Sequence, residues 1–227
     1  MSNSRQIILS NIKKALNTAS QIPNLYAHSE QQLIKEVISN RPKVKKELWK
    51  QFREELQAVS GEFRQFENND NIAEYITGFL RKNNHKQLAI SGEHTCQEIA
   101  EKIQAKDSGI EITQATSFSG EERKAKLAGI PVSLVAAYYA VAETGSVVFL
   151  YDQSRTSYPH FLSETVCTIV HHNNIVADIF ELFEQVEPEQ VKNMVIATGP
   201  SRTADIEKVL ILGAHGPRRF IVTAISE

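Results

Sequence analysis

From Glu62 onward, short apolar runs alternate with amphipathic stretches of helical period, and this alternation limits the fold more than any other feature of the chain. Glu62 to Phe66, Gln87 to Ser91, Ile110 to Gln114, Ser146 to Tyr151, Val166 to His171, Met194 to Thr198, Val209 to Leu212 and Phe220 to Ala224 read as strands. Asn71 to Asn83, Thr95 to Gln104 and Glu121 to Leu127 read as helices, with Ile72, Ile76, Phe79 and Leu80 on one face of the first and Asp70 as its cap. Strands that alternate with helices build layered α/β domains, because each crossover lays a helix on a mostly parallel sheet. Two further segments are expected to be a strand over Ala137 to Ala142 and a helix over Ile175 to Val186, stopping before Pro188.

Before Glu62 the texture is helical only: Arg5 to Leu16, Glu30 to Ser39 and Val44 to Val59. The expected organisation is therefore a helical extension over 1–60 and an α/β domain over 61–227, with mixed or mostly parallel strands and flanking helices. Residues 1–61 carry ten Lys/Arg and five Asp/Glu, a charge of +5, so a net −2 leaves −7 for the rest. The basic cluster Arg41, Lys43, Lys45, Lys46, Lys50 and Arg53 resembles a nucleic-acid footprint. However, Val44, Leu48, Phe52 and Leu56 recur every fourth residue with Trp49 and Val59 beside them, which makes the cluster the solvated face of an amphipathic helix. An acidic protein surface is the other partner such a face would suit, and nucleic acid is not expected.

The cysteines, Cys96 and Cys167, are too few for a disulfide framework, which points to a reducing cytoplasm. They are also too few for an iron–sulfur cluster of the usual four thiolates. The apolar stretch Ile7-Ile8-Leu9 is too short for a secretory core, and the run Val132 to Ala142 is well short of the ~20 residues of a membrane span. Adjacent His171 and His172 point to opposite faces of a strand, and no helix carries paired ligands at metal spacing, so no metal site is expected. Neither Gly-x-Gly-x-x-Gly nor Gly-Lys-Ser/Thr occurs, which argues against nucleotide binding by those routes and leaves the chain without an expected cofactor.

Four of the ten glycines lie in three turns after or between strands: Ala142-Glu143-Thr144-Gly145-Ser146, then Thr198-Gly199-Pro200-Ser201-Arg202-Thr203-Ala204-Asp205-Ile206-Glu207, then Gly213-Ala214-His215-Gly216-Pro217. Loops beyond strand ends are where α/β sheets hold ligands. Arg202 suits a carboxylate bound bidentately, and Ser201 and Thr203 suit an anion cradle at a helix N-terminus. The same residues equally suit a helix cap and a surface ion pair, and Asp205 would already satisfy the positive helix end. Glu143 is an acid set in a glycine turn, a candidate nucleophile or general base, though Thr144-Gly145 is also ordinary turn chemistry. His215 is a candidate acid/base, or a histidine bound only to loop backbone. The ligand-binding set is thus Thr144, Gly145, Ser146, Gly199, Ser201, Arg202, Thr203, Asp205, Gly213 and Gly216.

Taken together the three strings resemble the lactate-utilisation domain family over roughly Gly61 to Glu227. The resemblance implies a fold like that of ribose-5-phosphate isomerase, glucosamine-6-phosphate deaminase and the CoA-transferases. It also implies a role in oxidising lactate to pyruvate beside partner proteins, at least one carrying iron–sulfur clusters. CoA-transferases of the related fold use a glutamate nucleophile, which is why Glu143 is set apart. The alternative is a stand-alone enzyme on a small phosphorylated sugar, a folate or a CoA ester, as related folds host.

Overall fold

The computed structural model describes residues 7–11, 13, 14, 44–118, 120–151, 162–186, 191–204, 210–212 and 216–226. The chain divides into two units, Met1–Arg41 and Pro42–Glu227. In the first, residues 7–11, 13 and 14 are helical, as expected for Arg5 to Leu16, whereas the helix expected over Glu30 to Ser39 lies outside the described residues.

The second unit opens with α1 (Lys45–Ala58), whose fourfold apolar spacing puts Leu48, Trp49, Phe52 and Leu56 on one buried face. Lys45, Lys46, Lys50 and Arg53 are exposed on the other. The Lys45 ammonium donates to Asn173 Oδ1 at 2.7 Å, and Arg53 lies 5.1 Å from the Phe63 ring centre. The helix closes through Ser60, at φ 65°, and a hydrogen bond of 2.8 Å from Gly61 N–H to Leu56 O. This helix, grouped by its texture with the extension, shares the core of the strands that follow.

There follow β1 (Glu62–Phe66), α2 (Asn69–Lys82), β2 (Gln87–Ile90), α3 (His94–Lys106), β3 (Glu111–Gln114), a short 3₁₀ turn (Ala115–Ser117), α4 (Gly120–Leu127) and β4 (Val132–Ala136). After them come β5 (Tyr139–Val141), β6 (Ser146–Tyr151), β7 (Thr165–His171), β8 (Ile175–Val176), α5 (Ile179–Gln185), β9 (Asn193–Ala197), β10 (Arg202–Ala204), β11 (Leu210–Leu212) and β12 (Arg219–Ile225). The cap of α2 is Asn68, whose side chain accepts from Asn71 N–H at 3.0 Å, two residues earlier than the expected Asp70.

Six strands form one sheet in the order β1-β12-β7-β4-β2-β3, every pairing parallel. The central strands β7 and β12 are buried almost end to end, while the edge strands β1 and β3 are half exposed. That contrast explains why the middle strands read as continuous apolar runs: both their faces are covered. On one face α2 and α3 press Ile72, Ile76, Leu80, Ile99 and Ile103 onto Leu88, Leu134, Ile169 and Ile221. On the other, α1 and a second sheet, in the order β8-β5-β6-β9, enclose Phe63, Val135, Val166, Phe220 and Val222. The α/β class with a mostly parallel sheet is the observed architecture. Among the described residues no helix is long and apolar enough to cross a membrane.

Three local expectations are corrected. The run Val132 to Ala142 is not one strand beginning at Ala137 but two strands in different sheets. The change happens between neighbours: Ala137 N–H donates to Ile169 O of the parallel sheet at 2.7 Å, and Tyr138 N–H to Val148 O of the second at 2.8 Å. Ile175 to Val186 is not wholly helical, because Asp178 accepts from Glu181 N–H at 2.9 Å and starts α5 there, leaving β8 in front. No helix begins at Ser201 to Thr203, since Arg202–Ala204 is β10, paired antiparallel with β11, and residues 205–209 lie outside the described residues. No helix N-terminus forms an anion cradle at those residues.

At the start of β12 the Arg219 guanidinium grips both oxygens of Glu62, the second at 3.0 Å, and lies 4.8 Å from the Phe79 ring centre. The hydrogen bond from Arg219, ahead of the opposing cost of burial, holds the Glu62 carboxyl below its ordinary 4.5. A group whose pKa is depressed on folding stabilises the fold above its unfolded pKa, and that contribution is lost as pH falls through the folded value. We therefore expect the thermal midpoint to fall as pH drops below 4.5, and Glu62→Gln to flatten that fall. Denaturation scans of both proteins between neutral and acid pH check it, and parallel curves would contradict it.

Candidate functional site

The first two glycine turns are brought together at the C-terminal end of α1, and of the third turn the described residues Gly216 and Pro217 lie against Ser201 of the second. Gly145 has φ 63°, and a Cβ there would lie 2.3 Å from Leu56 N and 2.7 Å from Leu56 Cα. Gly199 has φ 76°, and its Cβ would lie 2.8 Å from Val59 Cγ2. Arg202 donates to Ser60 Oγ at 2.6 Å. The last turn of α1 has no basic residue of its own, so this guanidinium supplies the positive charge that a helix C-terminus favours. Ser146 Oγ bridges Thr144 Oγ1 at 2.7 Å and Thr198 Oγ1 at 2.6 Å, tying the first turn to the second. Ser201 N–H donates to Pro217 O at 2.8 Å, and a Cβ on Gly216 would lie 3.1 Å from Ser201 Cβ, which docks the third turn on the second.

Thr144, Gly145, Ser146, Gly199, Ser201 and Arg202 thus gather at one helix end, and Gly216 lies against Ser201. Glu143 belongs to the same turn, but its side chain is exposed and its N–H donates to Ala177 O at 2.9 Å. Thr203 pairs in β10 with Ile211. Asp205, Gly213 and His215 lie outside the described residues. The turns flank β5, β6 and β9 of the second, mixed sheet, and Gly216 precedes the N-terminal end of β12. They are not at the carboxyl ends of the parallel strands, where open α/β sheets place ligands.

Those carboxyl ends carry a feature that the glycine turns drew attention away from. After β2 the chain moves outward to β3, then returns across β2 to β4, so the direction of winding reverses between β2 and β4. A crevice outside the strand ends forms at such a reversal. The segments that meet at this reversal are Ser91, Gly92 and Glu93 after β2 and Ala137 and Tyr138 after β4. Ser91 joins the two sides: its N–H donates to Leu134 O at 3.1 Å and its Oγ accepts from Ala136 N–H at 3.4 Å. Gly92 is needed because a Cβ would lie 2.7 Å from Thr116 Cγ2, in the turn after β3.

Glu93 stands at the N-cap of α3, yet its side chain makes no capping hydrogen bond. Its Oε2 is sealed from water without a hydrogen-bond partner among the described residues, while the residue as a whole is partly exposed. Asn69 Oδ1 and Thr168 Oγ1 share that condition, but both are neutral groups, and Glu93 is a carboxylate. Burial raises the Tyr151 phenol and the Cys96 thiol above their ordinary values, and in each the charge of Glu93 adds to the rise. A hydrogen bond from Ser91 Oγ to Cys96 Sγ at 3.4 Å opposes it in the second case. Glu93 is thus an acid at the strand ends whose charge reaches two buried neutral groups. The strand Gln87 to Ser91 and the helix from Thr95 were legible in the sequence, and the acid in the three-residue gap between them was the available signal.

A family model described as the LUD domain matches residues 49–225. The chain belongs to the LUD domain family. The span of the LUD match takes in most of α1, all the strands, the helix-end cluster and the ends of β2 and β4. Lactate utilization protein C of Bacillus pumilus is 28% identical over 126 residues, 52% of this chain and 52% of that protein. Lactate utilization protein C of Macrococcus caseolyticus is 28% identical over 156 residues, 65% of each. The uncharacterized protein YkgG of Escherichia coli is 27% identical over 150 residues, 63% of this chain and 64% of that one. The chain spans about half to just under two thirds of the length of these curated relatives. The crystal structure of a DUF162 family protein from Deinococcus radiodurans superposes with a TM-score of 0.59 at 15% identity, covering 82% of this chain and all of that one. At that identity the likeness is one of fold.

Proposed function

We propose that this LUD-family chain is a component of a lactate-utilisation system, acting in the cytoplasm with iron–sulfur partner proteins in the oxidation of lactate to pyruvate. The observation that carries the proposal is the LUD match over residues 49–225, together with similarity to relatives named Lactate utilization protein C. Oxidising lactate to pyruvate releases electrons that need an acceptor, and the chemistry of this chain supports placing that acceptor elsewhere. A four-thiolate cluster needs more than the two cysteines present. Both are fully buried and free, and burial pushes Cys167 up to about 12, so it stays a neutral thiol and a poor metal ligand. A small carboxylate is the ligand this reading assigns to the chain.

Deleting the gene is expected to abolish growth on lactate while growth on pyruvate continues. Reintroducing the gene restores growth, and affinity purification from lactate-grown cells recovers a cysteine-rich iron–sulfur protein. Unimpaired growth on lactate in a strain without a second copy of the gene would sink the proposal.

A further inference from the structure

We propose that the cavity between β1 and the C-terminal half of α2 binds the phosphate of a small phosphate ester, held by Arg64, Lys82 and Arg219. The cavity measures about 540 Å³, within the range of small-molecule sites, so an organic group fits beside the phosphate. Three cations line it against one acid, Glu74. Counting Glu62, which Arg219 grips from outside the cavity, three positive charges still face two negative ones. The excess favours an anion.

Two of the cations are fixed before any ligand arrives. Arg219 spends Nε and Nη2 on Glu62 and lies over the Phe79 ring, which leaves its Nη1 without a hydrogen bond among the described residues. Arg64 donates through Nη1 to Phe63 O at 3.1 Å, and its Nη2 lies 3.6 Å from Glu62 Oε2. Donors already held in place lose little freedom on binding. A guanidinium fork matches phosphate oxygens, and an ammonium adds a compact point charge. That ammonium is Lys82, exposed and without an ion pair among the described residues. Burial raises the Tyr75 phenol above its ordinary value, so this lining group keeps its proton at neutral pH and can donate it in a hydrogen bond.

Gly78 is an independent sign that the space is kept open. It lies inside α2, where glycine is less stable than alanine, and a Cβ there would meet nothing within 4 Å. Neither packing nor a left-handed φ calls for a glycine at this position. Its bare backbone instead forms part of the cavity lining. Arg219 opens β12, so the cavity lies away from the carboxyl ends of the parallel strands. The inference therefore stands apart from the lactate reading, and either can fail alone.

The test uses the full chain at pH 7.5 and two probes that share a ring, phenyl phosphate and benzoate. The first carries close to two negative charges and the second carries one. Calorimetric titration is expected to show phenyl phosphate binding at one site, with benzoate at least tenfold weaker. Lys82→Ala and Arg64→Ala should each weaken phenyl phosphate at least fivefold. Gly78→Glu places a carboxylate among the cations and should weaken it at least tenfold. Gly78→Ala should raise the thermal midpoint by about 2 °C and leave binding within twofold of the parent. No binding of phenyl phosphate, benzoate binding as tightly, or undiminished binding in Lys82→Ala and Gly78→Glu would each overturn the inference. A lowered midpoint in Gly78→Ala would overturn it too, because the glycine would then serve the fold.

Discussion

Gly145→Ala is expected to lower the thermal midpoint by roughly 10 °C, although the added group is a single methyl in a turn. The Cβ would sit 2.3 Å from Leu56 N, 2.7 Å from Leu56 Cα and 2.8 Å from Glu55 C. All three atoms are helix backbone, so no rotamer change relieves the overlap and α1 itself must shift. Overpacking of this kind costs about 1–3 kcal/mol. The left-handed φ of 63° adds about 1–2 kcal/mol for any residue with a Cβ. For a domain of this size each kcal/mol is worth about 2–4 °C. The outcome also decides what the glycine is for. A ligand loop would lose binding in Gly145→Ala while keeping its midpoint, whereas a packing contact loses the midpoint. An unchanged melting curve would contradict the helix-end account of the first turn.

Trp49→Ala is expected to remove about 3–5 kcal/mol, a large share of the ~5–15 kcal/mol available to a typical domain. Trp49 is 5% exposed and stacks between Phe63 and His172, with ring centres at 5.5 and 5.6 Å, while Phe52 meets its edge at 5.3 Å. Its indole N–H donates to His172 O at 3.0 Å, joining α1 to the far end of β7. Truncation leaves a cavity at the junction of helix and sheet and an orphaned carbonyl. Trp49→Phe keeps most of the packing and loses the hydrogen bond, for about 1 kcal/mol. Chemical denaturation of the three proteins orders them parent, Trp49→Phe, Trp49→Ala. If the alanine variant is as stable as the parent, α1 is not part of the domain core.

The helices and middle strands were legible because burial writes a period into the sequence. Leu48, Phe52 and Leu56 announce α1, and Thr165–His171 and Arg219–Ile225 have the apolar continuity of strands covered on both faces. What failed to show was any event decided by distant residues. Nothing local in Val132 to Ala142 says that the chain leaves one sheet for another between Ala137 and Tyr138, because β-branched and small residues suit both. Arg202–Ala204 extends because β11 offers it a partner, not because of its own propensity. The glycine turns were visible as turns, but the helix backbone pressed against Gly145 was not. Glu93 was hidden for a related reason: one glutamate at a helix start looks like a cap, and only coordinates reveal that it caps nothing.

The order of strands has a bearing on how the protein is made. β1 enters the parallel sheet through β12, and the ion pair that clasps their starts joins residues 157 apart in the chain. A ribosome therefore releases β1 long before its neighbour exists, and the first strand waits with the flank meant for β12 unpaired as well as its outer edge. The sheet closes late, across a long loop, which places this chain among slow folders and makes nascent intermediates a natural client for chaperones. A premature stop anywhere before β12 detaches β1 as well, so the damage from losing the last strand appears at the opposite end of the domain.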